Sequence, residues 1–137
     1  HTANTTNAVV GVFNGVFYTD PTTAKPTWKN YYPGSITASD IIATVLDDPD
    51  LVSTIDSDGA FAAADIFKNF SVTNVTGNTN TGTSKVQLDY SVSGTASTFV
   101  IQAIDISQNV DNSDAGSANV NVLVRINNHF YRSGTGL

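Results

Sequence analysis

Apolar and polar residues alternate along the second half of the chain, as they do in β-strands. Residues 86–92 alternate strictly, which predicts a strand with one face buried and the other in solvent. Residues 118–127 repeat the pattern with Val and Ile inward, whereas residues 99–106 are apolar on both faces, as in a central strand. Linkers rich in Gly, Asn, Ser and Thr separate these segments. The pattern therefore predicts antiparallel strands in series.

The segment AVVGVFNGVFY at residues 8–18 has two interpretations. In the first, Asn14 and Gly15 form a type I′ turn and the flanking residues pair as a hairpin, because this dipeptide tolerates the positive φ angles of such a turn. In the second, the segment is one strand with Gly between large side chains, which fits the groove of another subunit. The residues that would make this subunit contact are Val9, Val10, Val12, Phe13, Val16 and Phe17.

Residues 37–47 have the apolar spacing of a helix. Thr37 stands at the N-cap position, and Asp40 lies in the first turn, where a negative charge favours the helix dipole. A second apolar stripe at residues 60–67 predicts another short helix. These segments indicate a short helical insert at about residues 37–67.

The whole pattern predicts a mainly β fold in a single domain, residues 1–137, which is the length of one ordinary domain. We expect an immunoglobulin-like or jelly-roll antiparallel β-sandwich that carries the helical insert. Residues 1–18 would form an N-terminal donor strand or hairpin. Thr, Asn and Ser make up about a third of the chain and favour turns and strands, so an all-helical bundle is excluded.

Charge and missing residue types narrow the classes of function. The net charge is −6, and the 6 Lys and Arg residues do not cluster, so nucleic acid is not an expected partner. The chain has no Cys and therefore no disulfide, thiol nucleophile or Cys-zinc site. Its apolar runs are too short for a membrane span. Low charge, abundant Thr, Asn and Ser, and the lack of Cys and Met predict an extracellular or cell-surface protein.

One segment partly matches the EF-hand calcium template. Asp56, Asp58 and Asp65 occupy the third, fifth and twelfth places of the template, and Gly59 occupies the sixth. Thr54 stands where the first Asp belongs, and Asp65 is shorter than the usual Glu. The segment therefore predicts either a weak calcium site or an acidic turn without metal, and no other cofactor is expected.

The two histidines raise a second metal hypothesis. A chain that begins with His has the first ligand of a copper histidine brace, in which His1 and a second His hold one copper ion. Here His129 would be the second ligand and Tyr131 the axial group. Because residues 1–7 are polar, we expect His1 to lie far from His129, and His129 to lie on the surface near the last strand.

Other motifs offer no catalytic residues. The nucleophile motif Gly-x-Ser-x-Gly does not occur, and no motif places a Ser beside a His, so we expect a protein that is not an enzyme. Asn4, Asn69 and Asn74 each begin an Asn-x-Ser/Thr sequon and are candidate glycosylation sites.

Two segments resemble the subunits of chaperone–usher pili. Residues 98–103 precede the last strand, residues 116–127, which begins with Gly116-Ser117-Ala118. In such pilins a Gly-x-Ala turn likewise leads into a final alternating strand. The segment at residues 5–18 looks like a donor strand, with Gly between large residues. Many such pilins have a disulfide, which this chain lacks, and the helical insert has no counterpart in them. The resemblance implies an immunoglobulin-type sandwich that polymerises by donor-strand addition.

The leading expectation is an extracellular structural subunit of a pilus or filament, in which copies of the chain form a homopolymer by strand addition. The alternative is a surface-attached adhesion or carbohydrate-binding module that contacts a carbohydrate or host protein through Trp28, Tyr31 and Tyr32. A copper oxidase built on the histidine brace is the third hypothesis.

Overall fold

The computed structural model describes residues 8–73, 75–78 and 80–132. Its strands form two antiparallel sheets, one in the order β2-β1-β3 and one in the order β4-β8-β7-β5-β6. The strands are β1 (Val12–Thr19), β2 (Pro26–Lys29), β3 (Ile42–Leu46), β4 (Val52–Asp56), β5 (Asn69–Val72), β6 (Leu88–Gly94), β7 (Ile101–Ile106) and β8 (Asn121–Ile126). The mainly β class is confirmed, and the two sheets are consistent with a β-sandwich. The immunoglobulin-like topology stays a prediction.

The main core lies on the five-stranded sheet, where the alternating patterns of the sequence predicted strands. β7 and β8 fall within the predicted segments, whereas β6 overlaps its segment and ends beyond it, at Gly94. The inward positions of β8 alternate as expected, with Val122 fully buried. Phe61 and Phe70 are also fully buried, and their ring centroids lie 5.6 Å apart. The predictions succeed here because β7 and β8 bury alternate side chains against the core. In β6 the predicted inward face is buried at Leu88 and exposed at Val92.

The hairpin interpretation of residues 8–18 is wrong. This segment contains the single strand β1, which pairs on one side with β2 and on the other with β3. Asn14 lies at an irregularity in the pairing with β3, because the register shifts between Phe13 and Gly15. The extra residue is accommodated as a bulge within the strand, so the Asn-Gly pair does not turn the chain.

The predicted helix at residues 37–47 is also wrong, since residues 42–46 form the strand β3. Asp40 does not serve a helix: its carboxylate accepts hydrogen bonds from the backbone N–H and the hydroxyl group of Thr19 in β1. Ile, Thr and Val favour a strand when a neighbouring strand supplies the pairing. Within residues 60–67 the helical content is one 3-10 turn, Ala63–Asp65, so the helical insert is replaced by two strands and this turn.

The segment before β1 connects this sheet to the end of the described chain. Val9 forms a parallel bridge with His129, and its backbone N–H and C=O bond to Asn128 and Phe130. Across the part of the chain that the structure describes, the helices are two 3-10 turns, Ala63–Asp65 and Phe130–Arg132, and neither has the length or hydrophobicity of a membrane span.

Candidate functional site

Strand β3 lies at one edge of the three-stranded sheet and is open on three sides. One edge pairs with β1, and no strand among the described residues pairs with the other. All five residues of β3 are exposed, and Ile42 has 61% of its surface in solvent. Among the described residues, β3 therefore presents an unpaired backbone edge and two partly exposed apolar faces.

An apolar row crosses the same sheet. Phe17 lies opposite Trp28 in one neighbouring strand and opposite Ile42 in the other. The Trp28 side chain lies on Gly15, where a Cβ atom would be 2.5 Å from the Trp28 Cζ2 atom. Trp28 and Phe17 remain 56% and 40% exposed. We call Trp28, Phe17 and Ile42 the apolar row; it extends across the sheet to β3.

Acidic residues bracket β3 but do not occur within it. Residues 41–46 carry no charge, whereas Asp40 precedes them and Asp47 and Asp48 follow. Hydrogen bonds from the hydroxyl and the backbone N–H of Thr19 lower the pKa of Asp40, so this carboxylate is ionised at neutral pH. The open edge is thus an uncharged stretch between negative ends.

The six residues predicted for subunit contact lie in or just before β1, but they do not form one free surface. Val16 is buried, whereas Val10, Val12 and Phe17 are exposed. Both edges of β1 already pair within the same chain. β1 would therefore have to leave its own sheet before it could enter another subunit.

The three aspartates of the predicted calcium site have separate partners. Asp56 accepts a hydrogen bond of 2.6 Å from the Gln87 amide, and Asp58 accepts one of 2.8 Å from the backbone N–H of Tyr90. No group of three or more His or Asp side chains able to hold a metal ion occurs in the described ranges. The template also begins inside β4 rather than in a loop. The structure does not assemble the predicted ligand set, and calcium binding stays a prediction.

Asp65 is the best-buried carboxylate among the described residues and belongs to a closed network. It accepts hydrogen bonds from the Lys68 ammonium group at 2.7 Å, the Ala62 backbone N–H at 3.0 Å and the Tyr90 hydroxyl at 3.2 Å. Burial raises the pKa of Asp65, but these three hydrogen bonds and the charge of Lys68 outweigh burial and lower it. The network stabilises the 3-10 turn against β6.

We expect Asp65→Ala to lower the free energy of unfolding by about 1–3 kcal/mol at pH 7, because it removes a buried carboxylate that accepts three partly buried hydrogen bonds. Asp111→Ala, in an exposed loop, is the matched control. Because the pKa of Asp65 is lowered on folding, its contribution is present above the unfolded-state pKa of about 3.9 and is lost as the pH falls through the folded value. Urea unfolding from pH 7 to pH 2 measures this; a difference between the variants that does not shrink in acid would contradict it.

His129 is fully buried, so the prediction of a surface position is wrong. Its Nδ1 atom accepts a hydrogen bond of 3.1 Å from the backbone N–H of Tyr131, which places the ring proton on Nε2. Nε2 has no hydrogen-bond partner within residues 8–73, 75–78 and 80–132. His1 lies outside the described residues, so its predicted distance from His129 and the histidine brace stay predictions.

The remaining candidates occupy different places. Asn69 is buried, and its amide nitrogen, the atom that would carry a glycan, donates a hydrogen bond to the Ala96 carbonyl. Glycosylation of Asn69 in the folded chain is therefore disfavoured, and Asn4 and Asn74 lie outside the described residues. Tyr31 packs beside Gly82, away from the place where Trp28 lies on Gly15.

Sequence reasoning missed the open edge because residues 41, 42, 45 and 46 have helical spacing. Two signals could have indicated it: the β-branched residues of this segment and the lack of charge between Asp40 and Asp47. No family model matches the chain, and the comparisons with curated proteins and with solved structures also found no match. The functional proposal therefore depends on the geometry of β3 and its surroundings.

Proposed function

We propose that this chain is an extracellular structural subunit of a filament and that copies of it assemble by strand addition at the open edge of β3. The observation that carries the proposal is the exposure of β3 on both faces and along one edge. An edge strand of this kind is a template for another strand, because a second chain can satisfy its whole row of backbone N–H and C=O groups.

The energetic argument combines backbone pairing with burial of apolar surface. Each backbone hydrogen bond gained contributes a net free energy of about 0.5–1.5 kcal/mol. An added strand also covers part of Ile42, Val45 and Leu46, which are 61%, 38% and 45% exposed. These gains oppose the cost of ordering two chains in one assembly.

The opposite edge of the same sheet shows how an edge is protected. β2 has four residues and begins at Pro26, which has no N–H to donate, and it ends at Lys29. Short length, Pro and Lys are common means of blocking strand addition. β3 is only one residue longer, but its five residues include neither Pro nor Lys, which supports β3 rather than β2 as the contact.

The proposal keeps strand addition from the sequence analysis but moves the contact. β1 was expected to enter another subunit, yet both of its edges are used within the chain. The extracellular setting is supported by composition, through the low charge content and the lack of Cys and Met. A filament also needs a second contact, and the exposed apolar row is the candidate for it.

The test compares Val45→Lys with Val110→Lys, its matched control. Both changes add one positive charge at an exposed Val, but Val45 lies in β3 and Val110 lies in a loop, 98% exposed. We expect the wild-type chain and Val110→Lys to self-associate with rising concentration in light scattering and to form polymers in negative-stain electron microscopy. We expect Val45→Lys to remain monomeric with an unchanged circular dichroism spectrum.

Two results would overturn the proposal. One is a wild-type chain that stays monomeric at millimolar concentration. The other is Val45→Lys assembling as readily as Val110→Lys, which would show that copies meet elsewhere.

The Trp28 side chain favours a second candidate function, an adhesion or carbohydrate-binding module. It is 56% exposed and lies on Gly15 beside Phe17, so it offers a flat surface that can stack on a sugar ring. Because Trp28 is the single Trp of the chain, its fluorescence reports directly on this surface. A saturable fluorescence change with soluble oligosaccharides, in a chain that stays monomeric, would favour this function.

A further inference from the structure

We propose that a cleft between the end of β4 and the start of β6 binds a single sugar ring through hydrogen bonds to its polar lining. The cleft has a volume of about 300 Å³ and is lined by Asp56, Val75, Ser84, Lys85 and Gln87. The inference goes beyond the proposed function, because the cleft belongs to the five-stranded sheet, whereas β3 lies in the three-stranded sheet.

The cleft lies where the two edges of the five-stranded sheet meet. β4 and β6 are its edge strands, and Ser57, directly after β4, forms a parallel bridge with Leu88, the first residue of β6. The backbone N–H of Asp58 also donates a hydrogen bond of 3.0 Å to the Leu88 carbonyl. The bridge brings together Asp56 and Gln87, which precede its two members, and their side chains are hydrogen-bonded.

The Gln87 side chain is fixed in this cleft by its amide nitrogen. The nitrogen donates hydrogen bonds of 2.6 Å to Asp56 Oδ2 and 3.2 Å to Asn119 Oδ1. Because a carboxylate only accepts hydrogen bonds, the nitrogen and not the oxygen of the amide faces Asp56. Gln87 Oε1 and Asp56 Oδ1 accept no hydrogen bond from the residues that the structure describes. These half-buried residues therefore have two acceptor atoms available to a ligand.

Ser84 and Lys85 supply hydrogen-bond donors to the same cleft. The Ser84 hydroxyl oxygen accepts a hydrogen bond of 3.2 Å from the backbone N–H of Val86, which leaves the hydroxyl hydrogen to be donated. The Lys85 ammonium group forms no ion pair with Asp56 or with any other residue in the described part of the chain. The lining thus offers both donors and acceptors to a ligand.

A neutral ligand with hydroxyl groups matches this lining better than an ion does. Asp56 and the net charge of −6 oppose an anion, and Lys85 opposes a cation. A hydroxyl group both donates and accepts, so neighbouring hydroxyls of one ring can bond to both kinds of lining atom. The volume of the cleft is at the lower end of the range for small-molecule sites, which suits one ring rather than a chain of them.

Amide NMR spectra of the isotope-labelled chain test the binding and its position. The probes are D-glucose, D-galactose, D-mannose and N-acetyl-D-glucosamine, titrated separately. We expect at least one of them to shift the signals of residues 84–87 saturably, with a Kd of about 1 mM, because a few hydrogen bonds in an open cleft give weak binding.

Two conservative variants test the lining. Asp56→Asn keeps an oxygen that can accept from Gln87 but replaces the second acceptor with a donor, and Lys85→Met keeps an apolar stem but removes the ammonium group. We expect each to raise the Kd about 10-fold, as for one hydrogen bond to a charged group. Asp111→Asn and Lys25→Met, at exposed positions outside the cleft, are the matched controls and should bind as the wild type does.

Four results would overturn the inference. The first is the absence of shifts with every sugar at about 10 mM, tenfold above the expected Kd. The second is a set of shifts centred on Trp28, which would assign sugar binding to the apolar row. The third is binding that Asp56→Asn and Lys85→Met weaken no more than their controls do. The fourth is that glycine, a zwitterion, shifts residues 84–87 where the sugars do not, which would show that the cleft recognises charges rather than hydroxyl groups.

These outcomes are separate from those of the proposed function. Strand addition is measured by the self-association of the wild-type chain and its loss in Val45→Lys, and sugar titration changes neither comparison. If the wild-type chain stays monomeric and residues 84–87 still respond to a sugar, the filament proposal fails and the sugar site stands. If the chain assembles and no sugar binds, the sugar site fails and strand addition stands.

Discussion

Phe61→Ala is expected to lower the free energy of unfolding by about 3–5 kcal/mol, the range for truncating a fully buried Phe. The Phe61 side chain has no exposed surface and packs against Phe70 in the centre of the main core. Its backbone C=O also accepts a hydrogen bond from the N–H of Gly116, and this bond holds the long loop before β8 against Phe61. Because a domain of this size is stable by about 5–15 kcal/mol, the loss leaves little margin.

The matched control is Phe67→Ala, which makes the same chemical change on the surface. Phe67 is 71% exposed and has a φ angle of 68°, in the left-handed region that disfavours a bulky residue. We expect Phe67→Ala to change the stability by less than about 0.5 kcal/mol, as for ordinary surface positions. Urea unfolding followed by circular dichroism measures both variants. Equal losses for the two would contradict the placement of the core.

Strands in the second half of the fold could be predicted because their apolar and polar residues alternate along the sequence. In β8 the side chains at alternate positions are buried, and the residues between them are partly exposed. Apolar residues therefore recur at every second position of this strand, and this pattern does not depend on which strands pair with it. β7 could be located for the same reason. β6 was located by its sequence alternation, although only Leu88 of its residues is buried and its end at Gly94 was not predicted.

The first half could not be predicted, because pairing rather than burial determines it. All five residues of β3 are exposed. Because neither face of the strand is buried, apolar and polar residues do not alternate along it. What makes it a strand is its pairing with β1, from Val12 opposite Leu46 to Phe17 opposite Ile42, about 30 residues away along the chain. The helical spacing of the apolar residues at 41, 42, 45 and 46 therefore predicted a helix where the chain forms a strand.

Spacing along the sequence could not show which residues of a candidate site lie together in the folded chain. Spacing along the chain placed Asp56, Asp58 and Asp65 in one template, but the first of them ends a strand and the last is engaged by Lys68. The sequence analysis identified Gly15 as a small residue between large ones. The structure shows that the side chain it accommodates is Trp28, from the neighbouring strand. Only the three-dimensional pairing identifies such a partner.

His129→Ala is expected to lower the free energy of unfolding by about 2–5 kcal/mol, the range for truncating a buried side chain of similar volume. The His129 side chain is fully buried where the C-terminal turn meets the segment before β1. Truncation leaves a cavity at this junction. It also removes the acceptor for the partly buried hydrogen bond from the backbone N–H of Tyr131.

His129→Leu separates the effect of packing from the effect of polarity. Leucine restores most of the volume and removes the Nε2–H group, which has no partner in the part of the chain that the structure describes. Removing an unsatisfied buried donor recovers its desolvation cost. We therefore expect His129→Leu to lose less than about 1.5 kcal/mol, as for a swap that conserves volume. If His129→Leu were as unstable as His129→Ala, the imidazole would have a polar role that packing does not explain. Loss of a one-to-one copper signal in both variants would identify that role as metal binding and revive the histidine brace.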